Sequence, residues 1–119
     1  MERFRFSSEV AFAPREELLH GVTVAPLSPS IAHGSPVQAA VFRIAPGGRI
    51  ARHPAQYPQI LAVLEGSGEV SGATGVGEPI EAGEAIFWQA GEVHETKTAG
   101  GLTALVIEAD GLEPFRKPA

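Results

Sequence analysis

Two glycine-framed segments of this sequence carry the side chains best suited to chemistry. The segment 48–66, GRIARHPAQYPQILAVLEG, contains His53 and Gln59, and the segment 83–98, GEAIFWQAGEVHETKT, contains His94. Neutral imidazole nitrogens and an amide oxygen can bind a divalent transition metal, and they can equally hydrogen-bond the polar end of an organic ligand. These three residues are therefore the predicted metal-binding and ligand-binding site.

The layout of the two segments resembles the two signature motifs of the cupin superfamily. The first motif of that family runs glycine, His-x-His, glutamate, glycine, and its positions correspond here to Gly48, His53, Ala55, Gln59 and Gly66. The second motif runs glycine, Pro-x-Gly, histidine, asparagine, and its positions correspond to Gly83, Gln89 to Gly91, His94 and Thr98. Phrases such as RHPA, FW and HET are similar to those of small single-domain bacterial cupins of unassigned function. The resemblance implies an all-β jelly-roll barrel, the cupin-type double-stranded β-helix, with antiparallel strands and at most one short helix.

The resemblance also implies a partly degenerate metal site. Cupin metals are held by the two histidines and the glutamate of the first motif together with the histidine of the second. His53 and His94 occupy two of these positions, Ala55 replaces the second histidine, and Gln59 replaces the glutamate. We therefore expect a weakly held divalent ion (Fe, Mn, Ni or Zn). A Gln59→Glu variant should bind the ion more tightly, because it restores the missing negative charge. The alternatives are a metal-free site in which His53 and His94 contact a small ligand, and two histidines that are merely hydrogen-bonded in the barrel wall.

Three further side chains within these two segments are candidates for the site. Tyr57 lies between two prolines at a predicted rim, where its hydroxyl can meet a ligand or its ring can pack. Trp88 and Phe87 are adjacent, so only one of them faces the core, and Trp88 is predicted either as a core residue or as a ligand-stacking one. Glu95 could substitute for the missing carboxylate ligand only if a β-bulge turns it into the barrel; because it follows His94 directly, it otherwise points outward as a surface or interface charge.

The elements that must position these residues read as short β-strands. Fourteen glycines and ten prolines punctuate the chain at short intervals, a pattern typical of a sandwich or barrel. Runs rich in aliphatic and aromatic residues predict strands over 22–27, 37–45, 59–65, 68–72, 79–83, 84–88, 94–98 and 102–109. Only the segment 14–21, PREELLHG, resembles a helix, of one or two turns, with its proline at the start and its glycine at the end.

The length of 119 residues predicts one domain over 1–119. Its barrel core is expected at about 37–109, with the N-terminal segment 1–36 packed on the barrel or on a dimer partner. The strands at 60–64 and 102–107 are apolar on both faces, whereas the outer face of a monomeric barrel meets water. This pattern predicts a homodimer, and the alternative is that the N-terminal segment covers the outer face.

Composition narrows the class of partner. The net charge is −5 and no stripe of Lys and Arg occurs, so nucleic acid is not an expected partner. No apolar run has the roughly 18–20 residues of a membrane span, and the N-terminus does not resemble a signal peptide. The chain has no cysteine, which excludes disulfides and thiolate chemistry. We expect a cytoplasmic protein whose partner is a small molecule.

Two functions agree with these residues. The first is a small-molecule-binding cupin with a partly degenerate metal site in the barrel mouth. The second is a metal-dependent cupin enzyme, of the dioxygenase or isomerase type, acting on a small organic substrate. The fold does not choose between them, because this architecture hosts both classes.

Overall fold

The computed structural model describes residues 1–14 and 17–117, and these form an all-β structure. Seven strands follow one another along the chain: β1 Leu19–Pro26, β2 Gln38–Pro54, β3 Gln59–Ser71, β4 Glu78–Glu81, β5 Ala85–Trp88, β6 Val93–Lys97 and β7 Leu102–Glu108. A 3-10 turn, Ile31–His33, precedes β2. Within the described residues no helix is long and apolar enough to cross a membrane. The predicted all-β fold is confirmed.

The two longest strands close the sheet into a barrel. One end of β2 pairs with β7 and the other end with β6, and β3 pairs with the same two strands in the same way. The circuit β2, β6, β3, β7 therefore returns to its start, and every pairing is antiparallel. β1 lies beside β2, while β4 and β5 pair with opposite ends of β3. This topology is the jelly roll expected from the two motifs.

Alternation along the first half of β3 and along β7 separates the core from the outer face. In β3, Gln59, Leu61 and Val63 are buried, whereas Ile60 is partly exposed and Leu64 is half exposed. The same period places alternate residues of β7 in the core, because successive side chains of a strand point to opposite faces. The core consists mainly of aliphatic residues with one large aromatic residue, Trp88. Inward-facing positions near the ends of β2, β3, β6 and β7 are thus available to line a cavity.

The predicted helix at 14–21 is wrong over the part of the segment that the structure describes. Glu17 and Leu18 form a turn, and β1 already begins at Leu19; residues 15 and 16 lie outside the described residues. Leu19 pairs with Ile50 in β2, so the backbone of this segment is satisfied by a neighbouring strand. A helix of one or two turns has little stability of its own, and pairing with a long strand overrides it.

Candidate functional site

A cavity of about 560 Å³ opens at one end of the barrel. The polar side chains that line it include His53 from β2, Gln59 from β3 and His94 from β6. The remaining wall is largely aliphatic and aromatic, and the segment before β1 contributes Phe12 and Leu18. The structure therefore brings the three predicted site residues to one cavity, with an apolar wall facing them.

The two histidines lie side by side, and a backbone carbonyl oxygen next to each ring determines which ring nitrogen carries the proton. His53 and His94 are cross-strand partners, and their ring centroids are 4.4 Å apart. The Nδ1 atom of His53 lies 2.8 Å from the carbonyl oxygen of Ala51, and the Nδ1 atom of His94 lies 3.0 Å from that of Glu92. A carbonyl oxygen only accepts hydrogen bonds, so each neutral ring carries its proton on Nδ1. The Nε2 atom of each ring keeps its lone pair for a metal or a hydrogen-bond donor.

The environment of His94 keeps its ring neutral. The side chain is 2% exposed, and the indole of Trp88 stacks on it at 4.3 Å between ring centroids. Burial lowers the pKa of His94, and the positive charge that His53 can carry acts in the same direction, while the Glu92 carbonyl opposes both. Near neutral pH the ring is therefore uncharged, which is the form that binds metal.

Gln59 is paired with a carboxylate that the sequence analysis missed. Its amide nitrogen donates a hydrogen bond to the Oε1 atom of Glu108, the last residue of β7. The two residues face each other across β3 and β7, and both line the cavity. The signal for Glu108 was present in the sequence, because it continues the inward series of Leu102, Ala104 and Val106.

The structure separates the other predicted residues from the cavity wall. Within residues 1–14 and 17–117, neither Tyr57 nor Trp88 is among the side chains around this cavity. Tyr57 is partly buried in the bend between β2 and β3. Trp88 is 2% exposed in the core, as the core interpretation requires, and meets the site only through His94. Glu95 is partly exposed between buried His94 and Thr96, so it lies on the outer side of β6.

The side chains that could bind a divalent ion in this cavity are few. The described residues contain no group of three or more His, Cys, Asp or Glu side chains placed to hold a metal. Two imidazole nitrogens and the amide oxygen of Gln59 are the donors that remain, and Ala55 contributes none. Both Nδ1 atoms donate to carbonyl oxygens, which is the outer-shell arrangement common to metal-ligating histidines.

The cavity has no cationic side chain among the described residues that line it. Arg52 precedes His53 directly, but its guanidinium donates hydrogen bonds to the Ser71 hydroxyl at 3.1 Å and to the Gly72 carbonyl oxygen at 3.2 Å. Glu108 is the one acidic residue in the described lining. Within the described lining an anionic ligand therefore meets neither lysine nor arginine, whereas an uncharged ligand with an apolar body meets a suitable wall.

Comparison with known proteins agrees with this fold. The sequence profile of the Cupin domain family matches residues 40–109, and no protein of the curated set gives a significant match. Among solved structures, the polyketide cyclase RemF from Streptomyces resistomycificus is 26% identical with a TM-score of 0.77, covering 96% of this chain and 82% of its own. A predicted oxalate decarboxylase from Thermotoga maritima is 27% identical with a TM-score of 0.65, covering 72% and 77%.

A third solved structure shows the fold alone. It is a cupin-like protein from Thermotoga maritima, 21% identical with a TM-score of 0.75, covering 96% of this chain and 86% of its own. The matched region 40–109 contains both glycine-framed segments and every strand of the closed circuit except the first residues of β2. With this barrel, this pair of motifs and this match over more than half of its length, the chain belongs to the cupin family.

Proposed function

We propose that this protein binds a small, largely apolar and uncharged organic molecule in the barrel mouth, with a divalent metal at the polar end of the site. The observation that carries the proposal is the pairing of His53 with His94, each with Nδ1 committed to a backbone carbonyl. This arrangement leaves two Nε2 lone pairs at one cavity, and Gln59 adds an amide oxygen. When bound, the ion would supply Lewis acidity that polarises a ligand oxygen.

The class of ligand follows from the wall and its charge. A cavity of about 560 Å³ lies within the range of roughly 300–1,000 Å³ that accommodates a multi-ring or similar-sized compound. A small dicarboxylate such as oxalate leaves most of that volume and the apolar wall unused. The chemistry of the site thus favours a polyketide-like aromatic compound over oxalate.

The second candidate is a metal-dependent enzyme on the same ligand class. It is favoured by the likeness to a polyketide cyclase over 96% of the chain and by the carboxylate of Glu108 beside the donor set. A dioxygenase or isomerase activity stays a prediction from the family resemblance. Turnover of a bound compound, followed by a change in its absorption spectrum, distinguishes the enzyme from a binding protein.

Calorimetric titration tests the proposal directly. The metal-free protein is titrated first with Co²⁺, and the loaded protein is then titrated with a hydroxylated naphthoquinone and, separately, with oxalate. We expect binding of one Co²⁺ per chain, then tighter binding of the naphthoquinone than of oxalate. Absence of both Co²⁺ and naphthoquinone binding would refute the proposal, and preferential binding of oxalate would refute the ligand class.

We further propose that the protein is a homodimer formed through the outer face of β3 and β7. Ile60 lies opposite Ile107 and Ala62 opposite Leu105 on this face, and Leu64 beside them is 50% exposed. A contiguous apolar face of this kind is typical of an interaction surface, and a two-fold axis lets one patch cover its own copy. The N-terminal segment offers a partial cover elsewhere, since Arg43 of β2 hydrogen-bonds the Phe6 carbonyl oxygen.

Sedimentation equilibrium tests the dimer. We expect twice the 12.4 kDa mass of one chain at tens of micromolar. A Leu64→Lys/Ile107→Lys variant should have the monomer mass, because dimer formation would bury its lysine charges among apolar side chains with no acidic partner. Val76→Lys is the matched control, since Val76 is also an exposed aliphatic residue but lies between β3 and β4. A wild-type protein of monomer mass would overturn this proposal.

A further inference from the structure

A side-chain hydrogen bond joins Gln59, one of the three candidate donors, to Glu108 on the neighbouring strand. Glu108 lies opposite Gln59 in the pairing of β3 with β7, and its Oε1 atom accepts a 2.5 Å hydrogen bond from the Gln59 amide nitrogen. Gln59 is 8% exposed, so water competes little for this hydrogen bond. Glu108 belongs to neither glycine-framed segment.

The chemistry of the two groups determines which atom of Gln59 is left for a ligand. An ionised carboxylate only accepts hydrogen bonds, and of the two amide atoms only the nitrogen donates. The nitrogen of Gln59 must therefore face Glu108. Its oxygen, the only atom of the amide that binds a metal, is then the atom left for a ligand.

We propose that Glu108 is the positioning residue of this site: it holds the amide of Gln59 with the oxygen available as a ligand atom and supplies the negative charge that Gln59 lacks. The inference rests on the proposed metal site of His53, His94 and Gln59. The negative charge of the site thus lies on Glu108 of β7, which is hydrogen-bonded to Gln59. It offsets part of the positive charge of the ion without binding the ion directly.

This arrangement changes the expectation for a glutamate at position 59. Gln59→Glu alone places two carboxylates at hydrogen-bond distance across β3 and β7, and like charges so close cannot both stay ionised without cost. The single substitution therefore adds a carboxylate ligand but also adds repulsion between two neighbouring carboxylates. Exchanging the two residues keeps one carboxylate and one amide and requires no new space.

Four variants and one probe test the inference. Co²⁺ affinity is measured by calorimetry and by the visible absorption of the bound ion in Glu108→Gln, Gln59→Glu, the exchanged variant Gln59→Glu/Glu108→Gln, and Glu95→Gln. Glu95→Gln is the matched control, because it removes the same charge from the outer side of β6 next to His94. The melting temperature of each metal-free variant is recorded in parallel.

We expect Glu108→Gln to weaken Co²⁺ binding by about 10–100-fold, the usual effect of losing an outer-shell partner, with a wild-type melting temperature. A glutamine at 108 can donate as well as accept, so it neither supplies charge nor determines which way Gln59 faces. Gln59→Glu is expected to lower the melting temperature of the metal-free protein by several degrees. The exchanged variant is expected to restore both the melting temperature and the Co²⁺ affinity, and Glu95→Gln to match the wild type.

The outcomes separate this inference from the proposed function. If Co²⁺ binds the wild type and is lost in His53→Ala but not weakened in Glu108→Gln, the metal site stands and the role of Glu108 is refuted. An exchanged variant that binds no better than Glu108→Gln refutes it as well. If the wild type binds no Co²⁺, the proposed function fails and the inference fails with it.

Discussion

His53→Ala is expected to weaken divalent-metal binding by more than about 100-fold, beyond the usual cost of losing an outer-shell partner. The substitution removes one of only two imidazole donors, and Ala55 at the neighbouring family position has no side-chain donor to replace it. His53 is only partly buried, and the hydrogen bond that it loses is to the carbonyl oxygen of Ala51 beside it. The melting temperature is therefore expected to stay within a few degrees of the wild type.

Co²⁺ calorimetry and thermal unfolding, run on the same preparations, measure both parts of this expectation. His33→Ala is the matched control, because His33 is exposed in the 3-10 turn and its ring hydrogen-bonds the hydroxyl of Ser30. Its affinity should equal that of the wild type. Retention of Co²⁺ affinity in His53→Ala would show that the metal lies elsewhere or is held by other donors.

Trp88→Ala is expected to lower the free energy of unfolding by about 3–5 kcal/mol, the range for truncating a large buried aromatic residue. Trp88 is 2% exposed at the end of β5 and belongs to the main core. Its indole also stacks on His94 at 4.3 Å, so the cavity left behind would remove a supporting contact of the site. For a domain stabilised by about 5–15 kcal/mol, this is a large fraction of the total.

Urea denaturation monitored by circular dichroism measures this loss. Trp88→Phe should cost less than Trp88→Ala, because it keeps a ring in the core, and Phe115→Ala is the control. Phe115 is 90% exposed, so its truncation should change stability by no more than about 0.5 kcal/mol. A Trp88→Ala variant as stable as the wild type but impaired in ligand binding would instead assign Trp88 to ligand stacking.

Local patterns in the sequence determined the fold class and the residues of the candidate site. Alternation with a period of two is a property of each strand by itself, so Gln59, Leu61 and Val63 could be placed on one face before any pairing was known. The two glycine-framed segments located His53 and His94 in the same way. Alternation also predicted that Glu95 would lie away from the cavity, and the structure agrees.

Only the tertiary structure decided what surrounds these residues. The hydrogen bond from Gln59 to Glu108 joins residues 49 positions apart, and no local pattern specifies which residue of β7 lies opposite Gln59. The predicted helix near 14–21 failed for the same reason, because the partner of Leu19 lies in β2. The stacking of Trp88 on His94 likewise depends on the tertiary structure, because it brings together side chains of β5 and β6. The sequence by itself thus determined which side chains share a face of each strand, and strand register decided which of them meet.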